Sequence, residues 1–195
     1  MNRSQTPETD RQILFSLERI SEAFRVLLWE QSKETGLSPI QIQILIFISS
    51  HQPEKCRITY LAEEFNLTKA TVSDSVKVLI IKGYLSKIIN PADSRSFSLA
   101  LTSLGLATAK QVSGFNDVFS NLMSNISIAE KNNFYNVLHS IIKGLNSSGV
   151  ISIQRNCLSC RFYTVGKDSH FCRLLNIPLM DYELRMDCAE HEARA

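Results

Sequence analysis

Four cysteines fall in the last fifth of the chain, Cys157, Cys160, Cys172 and Cys188, spaced C-x2-C-x11-C-x15-C. Thiolates are soft ligands, and four of them in a short segment point to metal binding. Zinc sites usually present two C-x2-C knuckles that pinch one small ion tetrahedrally, and only one such pair occurs here. A cuboidal [4Fe–4S] cluster is larger and takes its thiolates at separate corners, so widely spread single cysteines suit it better. The expected cofactor is therefore a [4Fe–4S] cluster, with Zn2+ as the alternative. Without a metal, these residues would be buried thiols or a redox-switched disulfide pair. Phe162, Phe171, Leu174, Leu175, Ile177 and Leu179 could form an apolar shell that keeps water off the cluster. His170 and His191 flank two of the cysteines and could replace a ligand, although an exposed histidine is ordinarily just solvated. Cys56 has no cysteine near it in sequence and reads as a structural or incidental thiol. His51 and His139 carry no motif.

A second chemistry lies mid-chain. Between Lys69 and Arg95 stand five basic residues (Lys69, Lys77, Lys82, Lys87, Arg95) against two acidic ones (Asp74, Asp93). The whole chain is nearly balanced, with a net charge of +2, so DNA binding must be argued from where the charges lie. One predicted helix face carries Thr68, Lys69, Thr71, Ser73, Asp74 and Lys77. Hydroxyls and lysines can reach phosphates or base acceptors, and Asp74 could accept from a cytosine amino group. Without such a donor or a neighbouring lysine, the Asp74 carboxylate opposes an anionic groove. Arg95 could enter a minor groove or grip a phosphate, with Asp93 fixing its guanidinium.

The elements that must position these residues read clearly. The chain has 195 residues, 44% of them hydrophobic and 21% charged, enough for one good-sized domain plus a small appendage. Residues 1–10 read as a flexible tail. Ile13, Leu14, Leu17, Ile20, Phe24, Leu27 and Leu28 recur at helical spacing from about Arg11 to Thr35, with Gly36 as the stop. Ser38, Pro39 and Gln41 open a second, apolar helix to Ser49. A third helix is expected over Tyr60–Phe65, with Leu61 and Phe65 facing in. Thr68 caps a fourth that ends at Gly83. The period then changes to two: Tyr84–Ile89 and Phe97–Leu101 flank the turn residues 90–94, which predicts a hairpin. Long helices follow over Ser103–Asn125 and from the Ser127–Glu130 capping box to about Lys143, before Gly144. Ser147-Ser148-Gly149 reads as a joint to the cysteine segment, 157–195.

The order helix, helix, hairpin outlines a winged helix. Together with the stretches Leu61-Ala62-Glu63-Glu64-Phe65-Asn66-Leu67-Thr68-Lys69-Ala70-Thr71-Val72-Ser73, Lys82-Gly83-Tyr84-Leu85, Asp93-Ser94-Arg95 and Leu99-Ala100-Leu101-Thr102-Ser103-Leu104-Gly105, it resembles the MarR family of bacterial regulators over residues 11 to 147. The resemblance implies a mainly α, winged helix-turn-helix fold with a helical dimerisation bundle (11–50 and 103–147) and a DNA-binding lobe (51–102). It implies a homodimer on double-stranded DNA, with Lys69, Thr71, Ser73 and Lys77 in the major groove and Arg95 in the minor groove of a near-palindromic operator. One departure is Asp74, where the family often has an arginine, so the operator sequence cannot be borrowed from relatives. The cysteine spacing over 157–188, outside this region, resembles the ligand spacing of high-potential iron–sulfur proteins.

A homodimer also follows from geometry. Two lobes about one DNA turn apart, roughly 34 Å, meet successive major grooves, and the long apolar stripes exceed what one lobe covers. A metal centre beyond the last bundle helix would sit against that bundle, so its gain, loss or oxidation is expected to tilt the bundle and change the spacing of the reading helices.

The polar N-terminus lacks a signal-peptide core, and the apolar run Ile44–Ile48 is too short to span a bilayer. The expected address is cytoplasmic, with no membrane partner, where structural disulfides are rare. Three rival readings remain: a regulator gated by a small-molecule effector with only structural zinc, a cluster-based redox protein, and an interaction module that does not bind DNA. The chain shows no nucleotide-binding glycine loop and no Ser-His-Asp order, so it is not expected to be an enzyme.

Overall fold

The computed structural model describes residues 7–90, 93–152, 155–166 and 169–194, with the backbone alone at 90 and 93–96. Among these residues, seven α-helices and two small sheets follow in chain order: α1 (Glu8–Thr35), α2 (Pro39–Ser50), α3 (Ile58–Glu64), α4 (Lys69–Ile81), β1 (Leu85–Asn90), β2 (Asp93–Leu101), α5 (Ser103–Val112), α6 (Asp117–Met123), α7 (Ile128–Ser147), β3 (Tyr163–Val165), β4 (His170–Cys172) and β5 (Ile177–Leu179). This is the mainly helical winged helix-turn-helix expected from the sequence.

The first helix begins earlier than expected. Pro7 stands at its cap, and Glu8 and Asp10 place acidic charge in the first turn, where the helix dipole favours it. Arg11 and Gln12 both bond back to Glu8. Residues 8–10 thus belong to α1 rather than to a tail; residues 1–6 lie outside the described set. Gly36, at φ 65°, ends the helix as a left-handed stop.

The core is built around α2. Ile42, Ile44, Leu45 and Phe47 share one buried cluster with Leu61, Val72, Leu79 and Leu99, so α2 serves as the spine of the winged lobe while it also meets α1 and α5. The capping box of Ser38 and Gln41 opens it. Between α3 and α4, Asn66 takes φ 52°, a left-handed position that asparagine tolerates better than most residues.

Strands β1 and β2 pair antiparallel from Leu85↔Leu101 to Ile89↔Phe97, with the register shifting at Asn90↔Asp93. The loop ahead of α3 ties to this hairpin through Leu99 N–H to Cys56 O, 2.8 Å. Thr102 closes the lobe: its hydroxyl donates to Gly83 O at 2.6 Å and accepts from Gly105 N–H. Gly105 packs so tightly that a Cβ there would stand 2.0 Å from Tyr84 O.

Further helix boundaries differ from expectation, among them α3, which runs from Ile58 to Glu64 and not from Tyr60 to Phe65. The helix predicted over Ser103–Asn125 is broken by a 3-10 turn, Ser113–Asn116. Ser113 Oγ donates to Lys110 O at 2.8 Å, glycine is a poor helix former, and a Cβ at Gly114 would stand 2.8 Å from an Asp117 carboxylate oxygen. The last helix runs straight through Gly144 to Ser147. Its left-handed stop is Gly149, φ 73°, with Val150 N–H bonded back to Leu145 O.

Beyond α7, β3, β4 and β5 form an antiparallel sheet of their own. Cys160, Tyr163, Leu179 and Leu184 make a second small core, with Cys157 and Cys172 packed against it. No helix among the described residues is long and apolar enough to cross a membrane.

Candidate nucleic-acid interface and cysteine pocket

Helix α4 presents its first turn to solvent. Thr68 caps it, accepting from Thr71 N–H at 3.1 Å and lying 2.9 Å from the Thr71 hydroxyl. Val72, Val76 and Leu79 anchor the opposite face in the core. That leaves Thr68, Lys69, Thr71, Asp74 and Lys77 exposed, with Ser73 half-buried. Asp74 pairs with Lys77 at 3.0 Å, so the anion that threatened to repel a phosphate-lined groove has a cation one helical turn on. The pair is solvent-exposed and worth little to stability; its effect is on the local potential. Arg95 lies on β2, the second strand of the wing, but its side chain falls outside the described residues, as does that of Asp93. Lys87, on the paired strand, holds its ammonium 4.5 Å from the Phe97 ring centroid.

The fold gathers the four C-terminal cysteines. Cys157 sits in a 3-10 turn, Cys160 follows it, Cys172 ends β4 and Cys188 precedes the terminal loop. All four line one cavity of about 40 Å3, together with Phe162, Leu174, Leu175 and Leu179 of the expected apolar shell. Phe171 and Ile177 of that expected shell lie outside the lining; Tyr163 takes part instead. Two nitrogen–hydrogen groups of Arg185 face the sulfurs: its backbone N–H stands 3.3 Å from Cys157 Sγ and its guanidinium 4.0 Å from Cys188 Sγ. Burial pushes the Cys157 thiol above its ordinary pKa, and the Arg185 N–H opposes that shift. Among the described residues no three His, Cys, Asp or Glu side chains are grouped so as to hold a single metal ion.

His170 and His191 have partners other than the thiols. His170 bridges Tyr163 (2.5 Å) and Asp181 (2.8 Å), and His191 bonds Ser159 Oγ at 2.9 Å. Burial, then Lys55, holds the His191 pKa down. Cys56 does not line the cavity the other four share. It donates to His51 O and Gln52 O, and burial raises its thiol to about 11.

A group of residues without any sequence motif connects the cysteine pocket to the helix-turn-helix. Arg155, only 6% exposed, donates to both carboxylate oxygens of Glu64 at the end of α3 and to Asp187 at 2.6 Å. It also reaches Tyr60 Oη at 3.2 Å and lies over the Phe47 ring. Burial works against its charge, but the bonds to Glu64, Asp187 and Tyr60 raise its pKa above the ordinary arginine value. Asp187 is held well below the usual carboxylate range by His51 and, against the cost of burial, by Arg155. Lys55 Nζ donates to Ala189 O at 2.5 Å. On the other side, Tyr135 of α7 donates to Leu184 O. From the sequence the segment is expected against the helical bundle; in the fold it also grips the α2–α3 loop and α3. The available clue was an arginine two positions before Cys157 and an aspartate one before Cys188.

The sequence model of the MarR family matches residues 35–96, which span α2 to β2. The chain is 28% identical over 136 residues to the HTH-type transcriptional repressor YetL of Bacillus subtilis, covering 69% of this chain and 81% of that protein. Among solved structures, Staphylococcus aureus MarR in complex with salicylate and kanamycin superposes with a TM-score of 0.62 at 20% identity, over 72% of this chain and 95% of that one. The S. aureus MepR–DNA complex gives 0.59 at 20% identity, over 67% and 96%. These likenesses show a MarR-type winged helix-turn-helix fold. MarR family regulators are DNA-binding proteins, not enzymes.

Proposed function

We propose, on the premise of this MarR-type winged helix, that the chain is a transcriptional repressor that binds a near-palindromic operator as a homodimer, its activity modulated by a [4Fe–4S] cluster in the C-terminal pocket. The observation that carries the DNA-binding reading is the α4 tip, where Lys69, Thr71 and Lys77 face solvent beside the hairpin in the part of the chain matched by the MarR family. Phosphate contacts by Lys69, Lys77 and Arg95 would fix register, and Thr68, Thr71, Ser73 and Asp74 would meet base edges.

Pairing of two chains is supported by what one chain leaves uncovered. Helix α1 buries only Leu28, and α7 buries no residue fully. Phe15 (60% exposed), Leu122 (62%) and Ile128 (75%) stand open to solvent. Faces of this extent mark an interaction surface, and twofold pairing is the commonest way soluble chains close one.

A small-molecule effector with structural zinc is the second reading. It is favoured by a cavity of about 580 Å3 lined by Met123, Ile126, Phe134, Tyr135, Leu138 and Tyr182, large enough for a small organic ligand.

Selection from a random duplex library, followed by anisotropy titrations over a range of salt, tests DNA binding. A near-palindrome is expected, with half-sites about one helical turn apart. Lys69→Ala should weaken binding across sequences and lower the salt slope by about one for each phosphate it no longer neutralises. Failure to enrich any duplex, or binding indifferent to salt and to Lys69→Ala, would sink the reading.

A further inference from the structure

We infer that Cys157, Cys160, Cys172 and Cys188 are the ligands of one [4Fe–4S] cluster, and that Arg155 and Asp187 carry its presence to the helix-turn-helix by holding Glu64. This deepens the cluster-modulated reading above and rests on it only for the DNA consequence.

The ligand set favours a cluster over zinc. Around one zinc ion, with Zn–S about 2.3 Å, tetrahedral sulfurs must stand about 3.8 Å from one another. The four thiols share a cavity, but no three of them are grouped to hold a single ion. A cubane takes each thiolate on a different iron, so sulfurs arranged around a common space match it. The cavity, about 40 Å3, is roughly three times the ~10–15 Å3 that one water needs. Its walls are largely apolar, as a cluster shielded from water requires.

Its two acidic neighbours are engaged elsewhere: Glu183 accepts from Met180 N–H at 2.8 Å and Glu190 from the Gln52 amide at 3.3 Å. The Arg185 N–H groups directed at Cys157 and Cys188 supply the hydrogen bonds that stabilise thiolate-bound sulfur. On binding a preformed cluster core, each thiol loses its proton to solvent and its sulfur donates a lone pair to one iron. Iron and sulfide keep their oxidation states, and four protons leave.

The linkage to the DNA-reading unit is short. Arg155 and Asp187 form a parallel bridge. Cys188 N–H bonds Arg155 O at 3.0 Å, and Cys157 N–H bonds Arg185 O at 3.1 Å. Two ligand thiols therefore sit on the same paired backbone that aims Arg155 at Glu64. Glu64 ends α3, the helix packed directly against α4. With the cluster bound, Cys157 and Cys188 are fixed relative to one another and the Arg155–Glu64 pair is held. Once the cluster leaves, the backbone pairing that aims Arg155 loosens and α3 is released.

The test uses the full chain, isolated without air and reconstituted with iron and sulfide, and then stripped by a chelator under oxidation. About four irons and four sulfides per chain, with visible absorption that Cys172→Ser abolishes, are expected. One zinc per chain in a colourless protein, or no metal at all, overturns the cluster assignment, and both are read on the wild-type chain whether or not the variant folds. Hydrogen exchange then reads the linkage. Amides of α3 should exchange about tenfold faster after cluster removal. In Glu64→Gln, which keeps its iron, that difference should shrink. Equal exchange in wild-type protein with and without cluster overturns the linkage. None of these measurements involves DNA, so a failed operator selection would refute the DNA-binding reading and leave this one standing.

Discussion

At the scale of single residues, His139 shows how a side chain without a motif acquires a consequence. It lies on α7, and its Nε2 is buried without a hydrogen-bond partner among the described residues. Burial, reinforced by Lys143, lowers its pKa below the usual histidine value. The unfolded chain, with its histidines near about 6.5, then binds the proton more readily than the folded one. The stabilisation is fully present above that pH and is lost as pH falls towards the lowered folded value. Chemical denaturation between pH 7.5 and 5 should show stability declining with acidity. His191, lowered by burial and Lys55, contributes with the same sign, so His139→Leu should flatten the decline without removing it. An unchanged slope in that variant would show that His139 titrates alike in both states. Residues with local partners were legible in the sequence: Ser38, Thr68 and Ser127 cap the helices they were expected to cap. Arg155 was not, because its partners Asp187 and Glu64 lie 32 and 91 positions away, and no pattern of neighbours announces such a pair.

At the scale of elements, the hairpin and helix α5 depend on one close approach. Gly105 lets α5 meet the Tyr84 carbonyl, and an added methyl would collide with backbone, not with a flexible side-chain end. Gly105→Ala should cost about 1–3 kcal/mol through overpacking, which for a chain of this size lowers Tm by roughly 2–12 °C. A thermal melt unchanged within error would mean that the close approach relaxes freely. The period of three to four in the helices and of two in the hairpin made these elements readable. The interruption at Ser113–Asn116 was not readable, because apolar spacing continues across it and only the Ser113-Gly114 pair hints at a break. Gly144 misled in the opposite direction. A glycine inside a helix resembles a stop until the chain beyond it, here Gly149, offers the left-handed conformation.

At the scale of the whole molecule, α1 extends about 42 Å and finds little of its own chain to cover it. Leu122→Glu, on a side chain 62% exposed in the single chain, should therefore cost the isolated winged lobe little. It should nevertheless shift sedimentation from dimer to monomer and abolish tight operator binding. A variant that remains dimeric with full affinity would move the pairing surface elsewhere. Under the pairing proposed here, sound and faulty copies made in one cell would mix freely. A chain with a spoiled α4 but intact long helices would sequester working copies, and in an equal mixture only about one pair in four would be sound on both sides. Lesions in the reading helix should thus be dominant, whereas lesions that destroy the uncovered faces of α1 and α7 should be recessive.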